Sequence, residues 1–262
     1  MKHDLVSIGT MLSLAAVVLL PTTAVQAALV VPAGNSLVLN DTDLNVTWTQ
    51  DANLFKTLAT ASGSAANFVT TIINSVGGKI YDTQNVYDTP ASSGYHTLKA
   101  SDFNTTWGLM TWWGAQAWVG YLNSISYGGV AGWRLPTTSP AVAGYNQTDS
   151  ELGHLFYTDL GGVADHPITI THNATYNLFN NVQSDEYWSG TENALLPENA
   201  WLFFTAAGYQ NYFPKSSQFY AWAVRPGQVT SVPVPAAVLL MGSALFGFLG
   251  FGRRKAATLG IR

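Results

Sequence analysis

The chain has five histidines and no cysteine, which limits the chemistry open to it. Without thiols there is no disulfide framework, no thiolate metal site and no cysteine nucleophile. His154, His166 and His172, with Asp165 as a fourth ligand, are the residues whose types suit a metal. Their spacings of 12 and 6 residues fit no compact ligand motif. Asp41-Thr-Asp43-Leu-Asn45 resembles the opening of a calcium loop, but no glycine stands at its sixth position and Ala52 occupies its twelfth, so it reads as a turn. An irregular calcium site built from several loops is compatible with the excess of acidic residues.

Ser150, His154 and Asp159 share one predicted helix, but the strand-turn elbow and oxyanion signature of a hydrolase are absent. The Asp185/Glu186 and Glu192/Glu198 carboxylates carry no fixed separation that would mark a glycosidase. Gly128-Gly129 is a turn signal and not a phosphate loop. Arg134 and Arg225, flanked by Trp133 and Trp222, are expected to make structural ion pairs or cation–π contacts, with ligand carboxylate binding as the sharper alternative. No catalytic residue, cofactor-binding residue or metal ligand is assigned.

The elements that would position these residues are of mixed type. Leu37–Trp48 reads as two strands around Asn40-Asp-Thr-Asp43. Residues 55–106 carry few strong signals beyond a helix at 67–76 and read as a variable insertion over the core. Thr111 caps a helix over Trp112–Leu122, and Thr148-Asp-Ser-Glu151 is a capping box for a second, stopped by Gly161-Gly162. The last third reads as sheet: a strand at Glu186–Ser189, a hairpin of 200–205 with 209–213, and a strand at 219–225 that is apolar on both faces and therefore buried. The expected class is α+β, with two helices and a twisted antiparallel sheet. All nine tryptophans and all twelve tyrosines lie between Trp48 and Trp222, so an aromatic core is expected, with exposed rings for sugar stacking as the functional alternative.

Both ends read as addresses. In residues 1–27, Lys2 precedes the apolar run Leu5–Leu20, and small residues place signal-peptidase cleavage between Ala27 and Ala28. At the other end Val232-Pro233-Val234-Pro235 leads into 17 apolar or small residues at 236–252, long enough to span a bilayer. Arg253, Arg254 and Lys255 follow and would stay cytoplasmic. The net charge of −4 divides unevenly: residues 28–232 hold six basic and fourteen acidic side chains, a charge of −8. That balance excludes nucleic acid as a partner, since neutralising phosphates needs clustered Lys and Arg. An apolar share of 47% excludes extended polar disorder.

The C-terminal order of parts resembles the PEP-CTERM sorting signal of Gram-negative bacteria, with Val234 where the family has glutamate. The resemblance implies processing by exosortase near Pro233 and Pro235, after an inner-membrane stage held by the apolar helix. Within the exported part, Asp43-Leu-Asn-Val-Thr-Trp-Thr-Gln-Asp-Ala-Asn53, Gly132-Trp-Arg-Leu-Pro-Thr137, Ser150-Glu-Leu-Gly-His-Leu-Phe156, Tyr187-Trp-Ser-Gly-Thr191 and Tyr220-Ala-Trp-Ala-Val-Arg-Pro226 resemble the Lcl-type C-terminal domain of bacterial collagen-like adhesins. This implies a domain related to C-type-lectin-like and formylglycine-generating-enzyme folds, with its two ends close together. Trp48, Trp133, Arg134, Pro136, Trp188, Trp222 and Arg225 are its expected structural residues. The absent cysteines remove the copper-binding pair of the enzymatic relatives. The expected function is non-enzymatic: an envelope or matrix protein acting in exopolysaccharide, biofilm or adhesion through glycan binding. An envelope enzyme with altered chemistry and a self-assembling surface protein are the alternatives.

Overall fold

Alternate side chains of a strand point to opposite faces, and in this protein that alternation divides the interior into two apolar clusters. The computed structural model describes residues 28–87 and 91–230. Ala27 with the rest of the signal segment, Pro233, Pro235, the apolar run 236–252, and Arg253, Arg254 and Lys255 lie outside the described residues. Among the described residues no helix is long and apolar enough to cross a membrane.

In chain order the elements are β1 (Leu29–Val30), β2 (Val38–Asp41), β3 (Val46–Thr49), α1 (Leu54–Ala61), α2 (Ala65–Ser75), β4 (Lys79–Tyr81), β5 (Tyr95–Thr97), β6 (Phe103–Asn104), β7 (Leu109–Met110), α3 (Trp112–Ser124), β8 (Gly144–Tyr145), α4 (Glu151–His154), β9 (Glu186–Glu192), β10 (Asn199–Phe204), β11 (Tyr209–Pro214) and β12 (Val224–Pro226). One sheet has the order β1-β2-β3-β12 and another β8-β11-β10-β9, while β4-β5 and β6-β7 are separate hairpins. Every strand pair within these sheets is antiparallel, so the class is α+β.

Two well-punctuated helices and a third at 67–76 were expected, and four are present among the described residues. The unexpected one, α1, follows Asn53, whose side chain makes no cap bond. In α2, Ser64 does cap, accepting from Asn67 N, and Phe68, Val69 and Ile72 form its buried stripe. These side chains, with Phe55, Leu98 and Phe103, belong to the first apolar cluster, so the segment expected to lie over the core supplies part of it. Helix α3 starts where predicted: Thr111 Oγ1 accepts from Gly114 N, and eight of its residues are buried. The capping box at α4 does not form. Ser150 is the cap, accepting from Gly153 N, and the Glu151 carboxylate turns instead to Arg134.

The partition between the clusters follows the pleat. Val38 of β2 enters the first cluster and Leu39 the second; Trp188 and Tyr187 of β9 divide the same way, as do Leu202 and Phe203 of β10. Residues 219–225 were expected as one buried strand. All of residues 220–224 are buried, but only β12 pairs regularly, while Phe219 and Tyr220 make single bridges to Met110 and Tyr187. Ala221 and Ala223 face the first cluster, and Tyr220, Trp222 and Val224 the second. The first and last described strands share the first sheet, and beside it Asn40 Nδ2 donates to Val229 O and Val229 N donates to Asn40 Oδ1, both at 2.9 Å.

Eight of the nine tryptophans are buried and Trp107 is exposed. Trp222 lies edge-on to Trp48 at 5.7 Å and to Phe179 at 4.7 Å, and its indole donates to Thr49 O at 2.9 Å. Replacing Trp222 with Ala is therefore expected to lower the unfolding free energy by about 3–5 kcal/mol. Trp107→Ala should change it by less than about 0.5 kcal/mol. Urea unfolding followed by fluorescence checks both, and equal losses would contradict this division between core and surface.

Candidate functional site

The β4–β5 hairpin places alternate side chains on opposite sides. Its register pairs Ile80 with His96 and Tyr81 with Tyr95, so the tyrosines face outward and His96 inward. Beneath His96 the chain turns through residues 100–102 and delivers Asp102, which is buried. Asp102 Oδ2 lies 3.1 Å from His96 Nε2 and accepts the Lys99 amide at 2.7 Å, while its Oδ1 accepts the Thr111 hydroxyl at 3.0 Å. The same Thr111 oxygen caps α3, so the helix start and the His96–Asp102 pair are one network. Gly114 permits it: a Cβ there would stand 2.6 Å from the Asp102 carbonyl. Burial pushes the Asp102 carboxyl up, but the bonds from His96, the Lys99 amide and Thr111 outweigh it and hold the group below its ordinary value. The His96 ring stacks on Trp113 with centroids 4.0 Å apart and planes within 5°.

These residues line a cleft of about 670 Å³. Tyr87 and Tyr95 stand at it with rings 70% and 58% exposed, while Ser101, Gln218, Glu198 and Lys99 offer polar atoms. Glu198 Oε2 is buried without a hydrogen-bond partner among the described residues. Asp82, also in the wall, binds Lys215 Nζ at 2.5 Å, and Glu192 Oε2 lies 3.2 Å from the same nitrogen. Lys215 is fully buried and lies 4.8 Å from the centre of the Trp112 ring, so its charge is neutralised on three sides. The arrangement offers hydrogen-bond acceptors, a few donors and aromatic faces to a polar ligand.

The structure distributes the sequence candidates elsewhere. Arg134 makes a bidentate pair with Glu151, Nη1 to Oε2 at 2.7 Å and Nη2 to Oε1 at 2.6 Å. Among the described residues Arg225 finds no carboxylate; it donates to the carbonyls of Ala131 and Gly227 instead of making the expected ion pair. Trp133 and Trp188 are buried, donating to Tyr127 O and Met110 O, and the Pro136 carbonyl accepts from Ser189 Oγ and Gly190 N. The Ala28 carbonyl accepts from Thr42, tying down the first described residue.

His154, His166 and His172, whose spacing fitted no compact metal motif, do not gather. His166 Nδ1 bonds Ala164 O and His172 Nδ1 bonds Ile168 O, whereas His154 turns toward Asp159. Ser150 serves as a helix cap, so no triad forms with His154. Asp41-Thr-Asp43-Leu-Asn45 is the β2–β3 turn, with Asn45 at φ 51°. Asp185 and Glu186 lie together, where burial and then the Asp185 carboxylate push Glu186 up to about 7. His96, Asp102, Asp82 and Lys215 were not singled out from the sequence, because no motif spacing links positions brought together by a hairpin and a distant strand.

Residues 37–225 match the family model described as the Lcl C-terminal domain. No curated protein and no solved structure matches the chain.

The Asp102 network generates a pH dependence. A carboxyl held below its ordinary value contributes stability above that value and loses it as the pH falls through the lowered one. Urea midpoints measured from about pH 6 to about pH 2 should therefore fall less steeply below about pH 4 for Asp102→Asn than for the wild type. Parallel slopes would show that the network does not favour the ionised form.

Proposed function

Since the chain belongs to the Lcl C-terminal domain family, we propose that it is an exported, non-enzymatic protein of the cell envelope or extracellular matrix that binds polysaccharide in the β4–β5 cleft. The observation that carries this reading is the pairing of exposed tyrosines with polar side chains in one concave site, where Glu198 Oε2 has no hydrogen-bond partner among the described residues. Sugars present both an apolar ring face and hydroxyls, and Tyr with acidic and amide side chains complements both. The cleft carries Asp82, Asp102 and Glu198 against Lys99 and the neutralised Lys215. With −8 over residues 28–232, that favours neutral glycans, or acidic ones bridged by calcium, over sulfated ones. A C-type-lectin-like arrangement is supported by the mixed class and by the first and last described strands sharing one sheet.

Export is part of the proposal. Signal peptidase would cut between Ala27 and Ala28, and exosortase would act near Pro233 and Pro235 once the 236–252 helix had held the chain in the inner membrane with Arg253, Arg254 and Lys255 inside. The mature protein would then reach the envelope, outer surface or matrix of a Gram-negative cell.

One observation favours a second reading, an envelope enzyme. The His96–Asp102 pair in a polar cleft has the composition of a general base and its orienting carboxylate. Shortened or altered glycan products that disappear in His96→Gln would establish it over simple binding.

Binding is tested by presenting the purified full-length chain to glycan arrays and host exopolysaccharide, with and without calcium. Tyr95→Ala should weaken the binding by about tenfold, as for an aromatic anchor; the absence of any binding in either condition rejects the lectin reading. Sorting is tested by intact mass in cells with and without exosortase. The enzyme should yield a product lacking 236–262, and the doubly substituted Pro233→Ala, Pro235→Ala chain should stay unprocessed.

A further inference from the structure

His154 and Asp159 are five residues apart, which on an α-helix of 3.6 residues per turn leaves them about 140° apart around the axis. The helix does not stay α. After α4 it widens into a π turn over Leu155–Asp159, closed by the bond from Leu160 N to Leu155 O at 2.9 Å. A turn closed by i→i+5 bonds brings residues five apart nearly into line, and His154 Nε2 lies 3.7 Å from Asp159 Oδ1. The β2–β3 turn adds Asp43, and the ligand atoms of the three residues all lie within 4.8 Å of one another. Asp41 fixes that turn, its Oδ1 accepting the amides of Asp43 at 3.1 Å and Leu44 at 2.9 Å.

A second observation separates this group from a chance meeting of acids. The Asp159 side chain is fully buried, yet neither of its carboxylate oxygens has a hydrogen-bond partner among the described residues, and neither does His154 Nε2. Leaving a buried polar atom unpaired forfeits its hydration without replacement, and the loss is greater when the group is charged. Three such atoms converging on one point share a missing partner. We infer that Asp43, His154 and Asp159 form a binding site for a divalent first-row transition-metal ion, with Zn2+ the best-fitting member.

The donor set decides the class of ion. Calcium takes six to eight oxygen ligands, whereas an imidazole nitrogen with two carboxylates suits zinc and its neighbours. Tetrahedral donors at about 2.0–2.2 Å from a common zinc stand about 3.4 Å apart, so the His154–Asp159 separation of 3.7 Å needs only a small side-chain adjustment. Asp43 is exposed and closes the remaining gap by side-chain rotation. A fourth position stays open to water or ligand.

The test is calorimetric titration of the untagged full-length chain, stripped of metal, with ZnCl2, MnCl2 and CaCl2 separately. One Zn2+ per chain is expected, bound more tightly than Mn2+, with no saturable Ca2+ at this site. His154→Gln and Asp43→Ala should each weaken Zn2+ binding by at least about tenfold, while His166→Gln and His172→Gln leave it unchanged. Asp43, being exposed, is the variant least able to disturb folding, and urea unfolding verifies each protein. Absence of Zn2+ binding, or binding indifferent to both His154→Gln and Asp43→Ala, overturns the site. Tighter Ca2+ or Mn2+ than Zn2+ overturns the choice of ion.

Discussion

One segment of chain holds the rest in place. Residues 219–226 cross the molecule and fasten to four other parts of it: Phe219 to Met110 by two backbone bonds, Tyr220 to Glu186 and Trp188, Val224 to Arg134 by two, and β12 to β3. Its side chains alternate between the two apolar clusters, so the same residues that complete the hydrogen bonding also complete both cores. The segment can pair on several sides because Ala221 and Ala223 are small enough to let neighbouring elements approach, while Trp222 fills the larger space opposite. Apolar burial at about 25 cal/mol per Å² then stabilises both cores through one shared wall.

That constraint also positions the cleft. Fastening Phe219 to Met110 sets the chain that leads into Thr111 and α3, and the Trp112 amide donates to the Lys215 carbonyl at 2.9 Å. Trp113 then supplies the surface on which His96 stacks, and Thr111 supplies the hydroxyl that orients Asp102. The hairpin bearing Tyr95 could therefore hold a ligand against a rigid floor, with its outer face left free for contact. A binding site built on a packed helix start loses little to reordering when it is filled.

Two buried charge problems are met in different ways. Lys215 is enclosed by Asp82, Glu192 and the face of Trp112, so its ammonium has local compensation. Asp159 has carboxylates for neighbours and His154 Nε2 at 3.7 Å, with no hydrogen-bond donor in reach among the described residues, an arrangement that water or a cation would complete. The contrast suggests where the protein is self-sufficient and where it awaits a partner. It also gives the excess of acid, diffuse in the composition, a location.

Much of the local structure was legible in the residues themselves. The β2–β3 and β10–β11 hairpins, the Thr111 cap and the burial of the aromatics follow from turn chemistry, capping and periodicity, which act over a few neighbours. The family, too, was legible from short motifs in order. Long-range pairing was not. Glu151 had the spacing of a capping box, yet Arg134, 17 residues away, offered its carboxylate two charge-assisted bonds that a cap could not match. Arg225 went to carbonyls because no acid was brought beside it. His96 met Asp102 only through a hairpin and a turn, and His154 met Asp159 only because the helix widened by one residue in its last turn. Sequence by itself determined the β2–β3 and β10–β11 hairpins, the start of α3 and the burial of most aromatic rings, since those preferences are local. Which polar groups came face to face was decided by the tertiary structure, because packing two cores against one shared segment leaves each side chain only the partners that the fold brings within reach.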